Sequence, residues 1–316
     1  MSKKSQGFLI RCVGRNRITD GWLETLISVL CPPLFLYNVC RARWVRDSWR
    51  EVLFQLFSVG SDPAAQHPAG ARSCGGEGGA LKFVCISDTH NLHERLAPLP
   101  PGDVLVHTGD FTNHGSIEEV RAFASWFGAQ PHGVKIVVPG NHDMIMDDEY
   151  YSSYYADWAA KYTPTSEALA CFEAAGVTVL MDALTVVGGV RVFGSPWVTK
   201  YAPWSTAFNK SEDQIKSQWE TVLPPAGSVD VLLTHSPPHG FCDREPSGCR
   251  AGCPHLALAI ARSIRPQVHV FGHVHSDAGA VENDGILYVN AASVCNYYVV
   301  GGRRPFEFSI APRAQS

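Results

Sequence analysis

With 316 residues, 45% hydrophobic and 18% charged, the chain can form one large globular domain or two small ones. The net charge of −4 hides an asymmetry: residues 1–50 hold nine Lys and Arg against three Asp and Glu, which leaves 17 of the 26 basic and 27 of the 30 acidic residues, net −10, for positions 51–316. That surplus of negative charge argues against strong duplex nucleic acid binding by the main body, and ten scattered cysteines without an N-terminal secretory h-region point to free thiols in a reducing, cytoplasmic setting.

Residues 1–80 read as an N-terminal extension. Trp22 to Val39 is apolar, but Glu24 and Pro32-Pro33 interrupt it as a membrane span. Trp44 to Phe57 has helical spacing of Val45, Trp49, Val52, Leu53 and Leu56, with Arg43, Arg46 and Arg50 among them. Three readings stay open for residues 1–57: a basic amphipathic helix on a membrane surface, an organelle transit peptide, or a poorly ordered extension. Residues 58–80 form a Gly/Pro/Ser/Ala linker, so the folded domain is expected over 81–316.

From Leu81 onward, apolar runs are each followed by a polar cluster. Leu81 to Ser87 reads as a strand and leads into Asp88-Thr89-His90, and Val104 to His107 leads into Thr108-Gly109-Asp110. Ser116 and Glu119 form a capping box that opens a helix to about Phe127. Val134 to Val138 is a third strand, followed by Gly140-Asn141-His142-Asp143. Residues 148–175 are mainly helical with a break at Thr163-Pro164. Val177 to Leu180 and Leu184 to Phe193 are strands, the second turned at Gly188-Gly189. Ser211 to Leu223 is a polar helix, and the strand Val229 to Leu233 precedes Thr234-His235-Ser236. Cys242, Cys249, Cys253 and His255 lack the usual spacing of a zinc finger or ribbon and read as loop thiols. A helix over His255 to Ile264 leads to the strand Val268 to Phe271 and the sequence Gly272-His273-Val274-His275. Ile286 to Val289 and Phe306 to Ile310 are late strands. The order suggests two stacked mixed sheets with helices outside, an α/β architecture.

Asp88-Thr89-His90, Gly109-Asp110 and a lone His235 are each weak, because Asp and His are common in loops, whereas Gly140-Asn141-His142-Asp143 is more specific and Gly272-His273-Val274-His275 more so. Five in order, each directly after a strand, converge where open sheets gather ligands. Imidazole with carboxylate suits Zn, Fe and Mn. Extended backbone would place Asp88 with His90, and His273 with His275, on one side at i, i+2. Asp110 can offer one carboxylate oxygen to each of two ions, and glycines at 109, 140 and 272 allow sharp turns. Two ions roughly 3.5–4 Å apart can clamp the attacking and leaving oxygens of a phosphoryl displacement.

The string DTH, GD, GNHD, THS, GHVH resembles the calcineurin-like metallophosphoesterase superfamily. VLVHTGDFTNHG, GSPW, AFN, THSPPHGF, RPQVHVFGHVH and VNAASV resemble its metallophosphoesterase domain-containing (MPPED-type) branch over roughly residues 81–311. That resemblance implies an α/β/β/α sandwich of two mixed sheets flanked by helices. It implies two divalent or trivalent ions (Mn2+, Fe2+/Fe3+ or Zn2+): one on Asp88, His90, Asp110 and His275, the other on Asp110, Asn141, His235 and His273. It also implies a metal-bound hydroxide as nucleophile, with His142 protonating the leaving oxygen or stabilising phosphoryl charge. Asp143 either orients His142 or caps the following helix. Some members of the branch resemble this chain but carry glycine in place of His273, so the full ligand set here favours catalysis. The expected activity is a phosphodiesterase acting on a small phosphoester, cyclic nucleotides or related diesters first. The alternatives are a phosphomonoesterase or protein phosphatase of the same fold, or a non-catalytic metal- or nucleotide-binding module. His107 reads as structural, Asn113 and His114 as loop residues, and Asn290 as a brace of the site or a turn residue.

Overall fold

The structure, a computed structural model, describes residues 79–157, 161–200, 206–295, 300 and 302–313. The predicted amphipathic helix at Trp44 to Phe57 and the linker up to residue 78 lie outside the described residues.

Strand β1 (Leu81–Ile86) pairs in parallel with β2 (Val104–His107), β2 with β3 (Val134–Val137), and β3 with β4 (Thr178–Val179). On its other edge β1 meets the antiparallel strand β13 (Phe306–Ile310), with Phe83 opposite Phe308 and their rings stacked at 5.0 Å. The second sheet runs β11 (Gly279–Asn283), β12 (Ile286–Asn290), β10 (Val268–Phe271), β9 (Val231–Thr234), β6 (Val190–Ser195), β5 (Ala183–Val187). Its four inner strands are parallel and its two edge strands antiparallel, so both sheets are mixed. A short pair, β7 (Val198–Thr199) and β8 (Asn209–Lys210), stands apart. All these elements belong to one unit, from which Pro246–Gly248 are excluded.

The period-two alternation of strands explains the layers. Phe83, Cys85, Val104, Val106 and Ile136 point toward the other sheet and meet Val190, Val192, Val231, Leu233, Val270 and Val289. Val84, Ile86, Leu105 and Val137 point outward to helices α1 (Ile117–Gly128) and α3 (Thr165–Ala174), whose Phe123, Phe127 and Phe172 fill that layer. Phe193, Leu232, Phe271 and Tyr288 form the opposite outer face under α4 (Glu212–Val222) and α5 (Pro254–Ala259). Burial on both faces is why these strands read as unbroken apolar runs. The result is the expected α/β/β/α sandwich.

Local signals set the boundaries. The Ser116–Glu119 capping box opens α1, and a second, Ser211 with Gln214, opens α4. The helical stretch predicted over 148–175 divides into α2 (Asp148–Tyr154) and α3, which starts directly after Pro164. Gly188 and Gly189 turn the β5–β6 hairpin with φ of +54° and +86°. Strand β11 is absent from the predicted elements, although Asp284-Gly285, at φ +50° and +74°, carries the usual two-residue hairpin signal. The helix predicted to end at Ile264 finishes as a π-helical stretch, Ile260–Ile264, and stops at left-handed Arg265.

Candidate metal centre

The five clusters lie at the carboxyl ends of β1, β2, β3, β9 and β10. Main-chain bonds lace their loops together: Asp88 N to Gly109 O (2.9 Å), His90 N to Asp110 O (3.0 Å), Gly272 N to His235 O (3.1 Å) and Ser293 N to Ser87 O (2.8 Å). A parallel bridge between Ser87 and Ala292 joins the two sheets at this end.

Two groups of ligand atoms result, Asp88–His90–Asp110–His275 and Asp110–His235–His273, the atoms within each lying no more than 4.8 Å apart. In the first, His90 Nε2 is 3.2 Å from His275 Nε2, and His275 Nε2 is 3.2 Å from Asp88 Oδ1. In the second, His235 Nε2 is 3.3 Å from Asp110 Oδ2 and 3.1 Å from Asn141 Oδ1, which brings Asn141 to this group. Spacings of this size are the edges of a coordination shell with bonds of about 2.0–2.2 Å. Among the described residues no other set of His, Cys, Asp and Glu is gathered in this way.

The donors also face correctly. His235 Nδ1 donates to Thr108 O at 2.8 Å, which leaves the Nε2 lone pair for an ion. Asn141 Nδ2 donates to Thr206 Oγ1 at 3.2 Å and so turns Oδ1 toward His235. Two buried carboxylates beside several imidazoles form a site that favours positive charge. Burial works against ionised Asp88, but His275 and His235 outweigh it and hold the carboxyl well below its usual range. Asp110 is held down in the same way, against burial, by His235, His142 and His90. Burial also opposes a charge on His235, yet the adjoining Asp110 raises that imidazole to about 9. His273 goes the other way, to about 4, through burial and then the charge of His235. The residue types, spacing and charge all fit metal ions.

Four expectations need correction. Asp88, His90 and His273 are not extended: their φ angles are +53°, +41° and +70°. Asp88 and His90 reach one group through left-handed backbone, whereas His273 and His275 are divided between the two. Asp110 does not offer one oxygen to each group. Its Oδ1 accepts His142 N at 2.8 Å, and Oδ2 alone lies between His235 Nε2 (3.3 Å) and His90 Nε2 (3.6 Å). Of the three glycines only Gly109, at φ +105°, needs its conformational freedom; at Gly140 a Cβ would overlap Asp110, and at Gly272 it would overlap Asp88 and Ser87. Close approach selects glycine there.

Asp143 is the fourth. Its Oδ2 accepts Asp110 N (2.8 Å) and Gly140 N (2.7 Å), and its Oδ1 accepts Thr112 N (2.9 Å) and Thr112 Oγ1 (2.7 Å). It neither caps the following turn nor bonds the His142 ring; it fastens the second and third loops together. Burial, then the nearby Asp110 charge, pushes its carboxyl up to about 8, while the surrounding donors pull it down. Oδ2, facing two N–H groups, can only accept, whereas Oδ1 also meets the Thr112 hydroxyl, which can take a proton from it while donating to His142 O.

His142 is oriented instead by the main chain: its Nδ1 donates to Asn113 O at 3.0 Å, leaving Nε2 available. Its ring lies edge-on to His90 with centroids 4.8 Å apart. Asn290 is buried and braces the site, donating to Cys242 O (3.0 Å) and Val274 O (2.9 Å). Sequence reasoning missed Arg303, whose Nη1 donates to His275 O at 2.7 Å, together with Thr206 and Thr112; single threonines and a distant arginine carry no spacing signal.

The family described as calcineurin-like phosphoesterase matches residues 81–277. Metallophosphoesterase domain-containing protein 1 of Homo sapiens and that of Mus musculus are each 38% identical over 232 residues, 70% of this chain and 69% of theirs. A UPF0046 protein of Caenorhabditis elegans is 35% identical over 235 residues, 73% of this chain and 81% of its own.

Proposed function

Because this chain belongs to the calcineurin-like phosphoesterase family and is a metal-dependent phosphoester hydrolase of the metallophosphoesterase domain-containing type, we propose that it is a dinuclear phosphodiesterase acting on small phosphodiesters, nucleotide-like esters first. The observation that carries the proposal is Asp110 Oδ2, shared between two ligand groups that together use seven side chains. Asp88, His90, Asp110 and His275, with Asn141, His235 and His273, would hold two cations, which would supply Lewis-acid stabilisation of phosphoryl charge and activation of the attacking water.

The protein's own residues do the rest. Asp88 and Asp110 hold the positive charge in place, and the His142 main-chain N–H keeps the second Asp110 oxygen occupied. Asn113 O fixes the His142 ring so that Nε2 carries the exchangeable proton. As the bond from phosphorus to the incoming oxygen forms and the ester P–O bond breaks, the imidazolium form of His142 gives its Nε2 proton to the departing oxygen and keeps the Nδ1 proton on Asn113 O. The diester preference is supported by the resemblance to the branch.

The test uses an aryl phosphodiester and the matching monoester with Mn2+. The diester should turn over faster, and activity confined to the monoester would remove the diesterase assignment. His142→Ala should lower kcat by about 10²- to 10⁴-fold while Mn2+ content, measured by elemental analysis, stays at the parent value. Parallel loss of metal would make His142 a ligand or a structural residue.

A further inference from the structure

Two buried histidines outside the ligand set stand in matching places. His107 is the last residue of β2, and His269 lies in β10; both are fully buried. Each faces the outer, helix-covered side of its own sheet. The His107 ring packs edge-on against Phe123 (4.9 Å between centroids), and His269 packs against Phe271 (4.8 Å). Each reaches across to the outgoing end of the neighbouring strand and meets a threonine hydroxyl, Thr89 just past β1 and Thr234 as the last residue of β9. His107 Nε2 lies 3.0 Å from Thr89 Oγ1, and His269 Nε2 lies 2.8 Å from Thr234 Oγ1.

The proton positions follow from the other partners. Gly109 N–H donates to His107 Nδ1 at 3.2 Å, so Nε2–H is the donor toward Thr89. The Thr234 hydroxyl donates to Ser236 O at 2.6 Å, so its oxygen accepts from His269 Nε2–H. Both bonds therefore run in the same sense, from a neutral imidazole to a threonine oxygen. Each threonine adjoins ligands in sequence. Thr89 stands between Asp88 and His90 of the first group, and Thr234 directly precedes His235 of the second.

We propose that His107 and His269 are a matched pair of positioning residues, each holding through its threonine the ligand loop of one metal group and not of the other. The proposal rests on the two-ion reading above. Ligand loops need such support because Asp88 and His90 sit at positive φ and His235 directly follows Thr234 at the end of β9, so a segment released at its threonine would lose ligand alignment. Groups that orient ligands from outside the coordination shell typically change metal affinity by about 10- to 100-fold when removed.

The experiment separates the groups before probing the latches. In the full chain, His273→Ala leaves the group containing Asp88 and His90, and His90→Ala leaves the group containing His235. Mn2+ affinity is measured by calorimetry on chelator-treated protein, with the melting temperature as a second readout. Thr89→Val should weaken Mn2+ binding by about 10-fold or more in the His273→Ala background. It should change binding by less than about 2-fold in the His90→Ala background, where the site it addresses is already gone. Thr234→Val should show the reverse pattern. Thr89→Ser and Thr234→Ser, which keep the oxygen, should restore affinity. Equal weakening in both backgrounds, or a lowered melting temperature with unchanged affinity, overturns the latch assignment alone. Failure of both single-group backgrounds to bind Mn2+ overturns the two-ion reading and the latches with it.

Discussion

Removing the Asp143 carboxylate should destabilise the fold more than it disturbs His142. Asp143→Ala leaves three buried main-chain donors, Asp110 N, Thr112 N and Gly140 N, without their acceptor, while the Thr112 hydroxyl can still turn to His142 O. An unsatisfied buried donor costs about 1–3 kcal/mol. Water entering the vacated space will satisfy some of them, so the lower end, about 3 kcal/mol in all, is the expected loss. For a domain of this size that is roughly 6–12 °C in melting temperature. Asp143→Asn keeps one acceptor but turns its amide toward one pair of donors, so its loss should fall between alanine and the parent. The assay is urea and thermal unfolding with chelator present, which isolates the loop junction from any metal. His142→Ala, at a half-buried position whose ring bonds only a carbonyl, is the comparison and should stay within about 1 kcal/mol. If Asp143→Ala were equally mild, the carboxylate would not be the fastener between the second and third loops, and a role through the His142 ring would return.

Gly272→Ala should reduce Mn2+ stoichiometry because its Cβ displaces the Asp88 carboxylate, whereas Gly279→Ala, whose nearest neighbour is 3.9 Å away, should leave stoichiometry unchanged in the same elemental analysis. Burial lowers His269 from 6.5 to about 3, so the unfolded chain takes up its proton first. The resulting stability is complete above pH 6.5 and falls as pH drops toward 3, at about 1.4 kcal/mol per pH unit for this one group. His269→Leu should flatten the acid limb of the stability profile by that slope, and an unchanged slope would refute the buried neutral imidazole.

Much of the fold was legible because its signals are local. Short apolar runs marked β1, β2 and β10, Ser116 and Glu119 marked the start of α1, and Gly188-Gly189 marked a hairpin. The ligand residues were legible for a different reason: His and Asp placed directly after apolar strands have few other uses in such number. Their roles in detail were not legible. Asp143 sits beside His142 in sequence, which suggested a partnership, but the chain turns between them and the carboxylate enters a nest of main-chain donors. Thr206 orients Asn141 from 65 residues away, a pairing that only tertiary contact creates. Residues 1–57 carried compositional hints and lie outside the described residues.

The candidate ligand set was read from a backbone geometry that does not occur, and the reason bears on how the loops are held. Extended strand ends would place Asp88 and His90 on one side at i, i+2, and His273 and His275 likewise. Left-handed backbone at Asp88, His90, Asp110 and His273 instead curls each loop back over its own strand. Non-glycine residues in that region carry about 1–2 kcal/mol of strain each. The strain is offset in part by bonds between loops: Asp88 N to Gly109 O, His90 N to Asp110 O, and His273 N to both Asp88 oxygens at 3.0 Å. Each loop is therefore held in its metal-binding shape by a different ligand loop. The bond from His273 N–H to Asp88 joins a loop of one group to a loop of the other without involving Asp110.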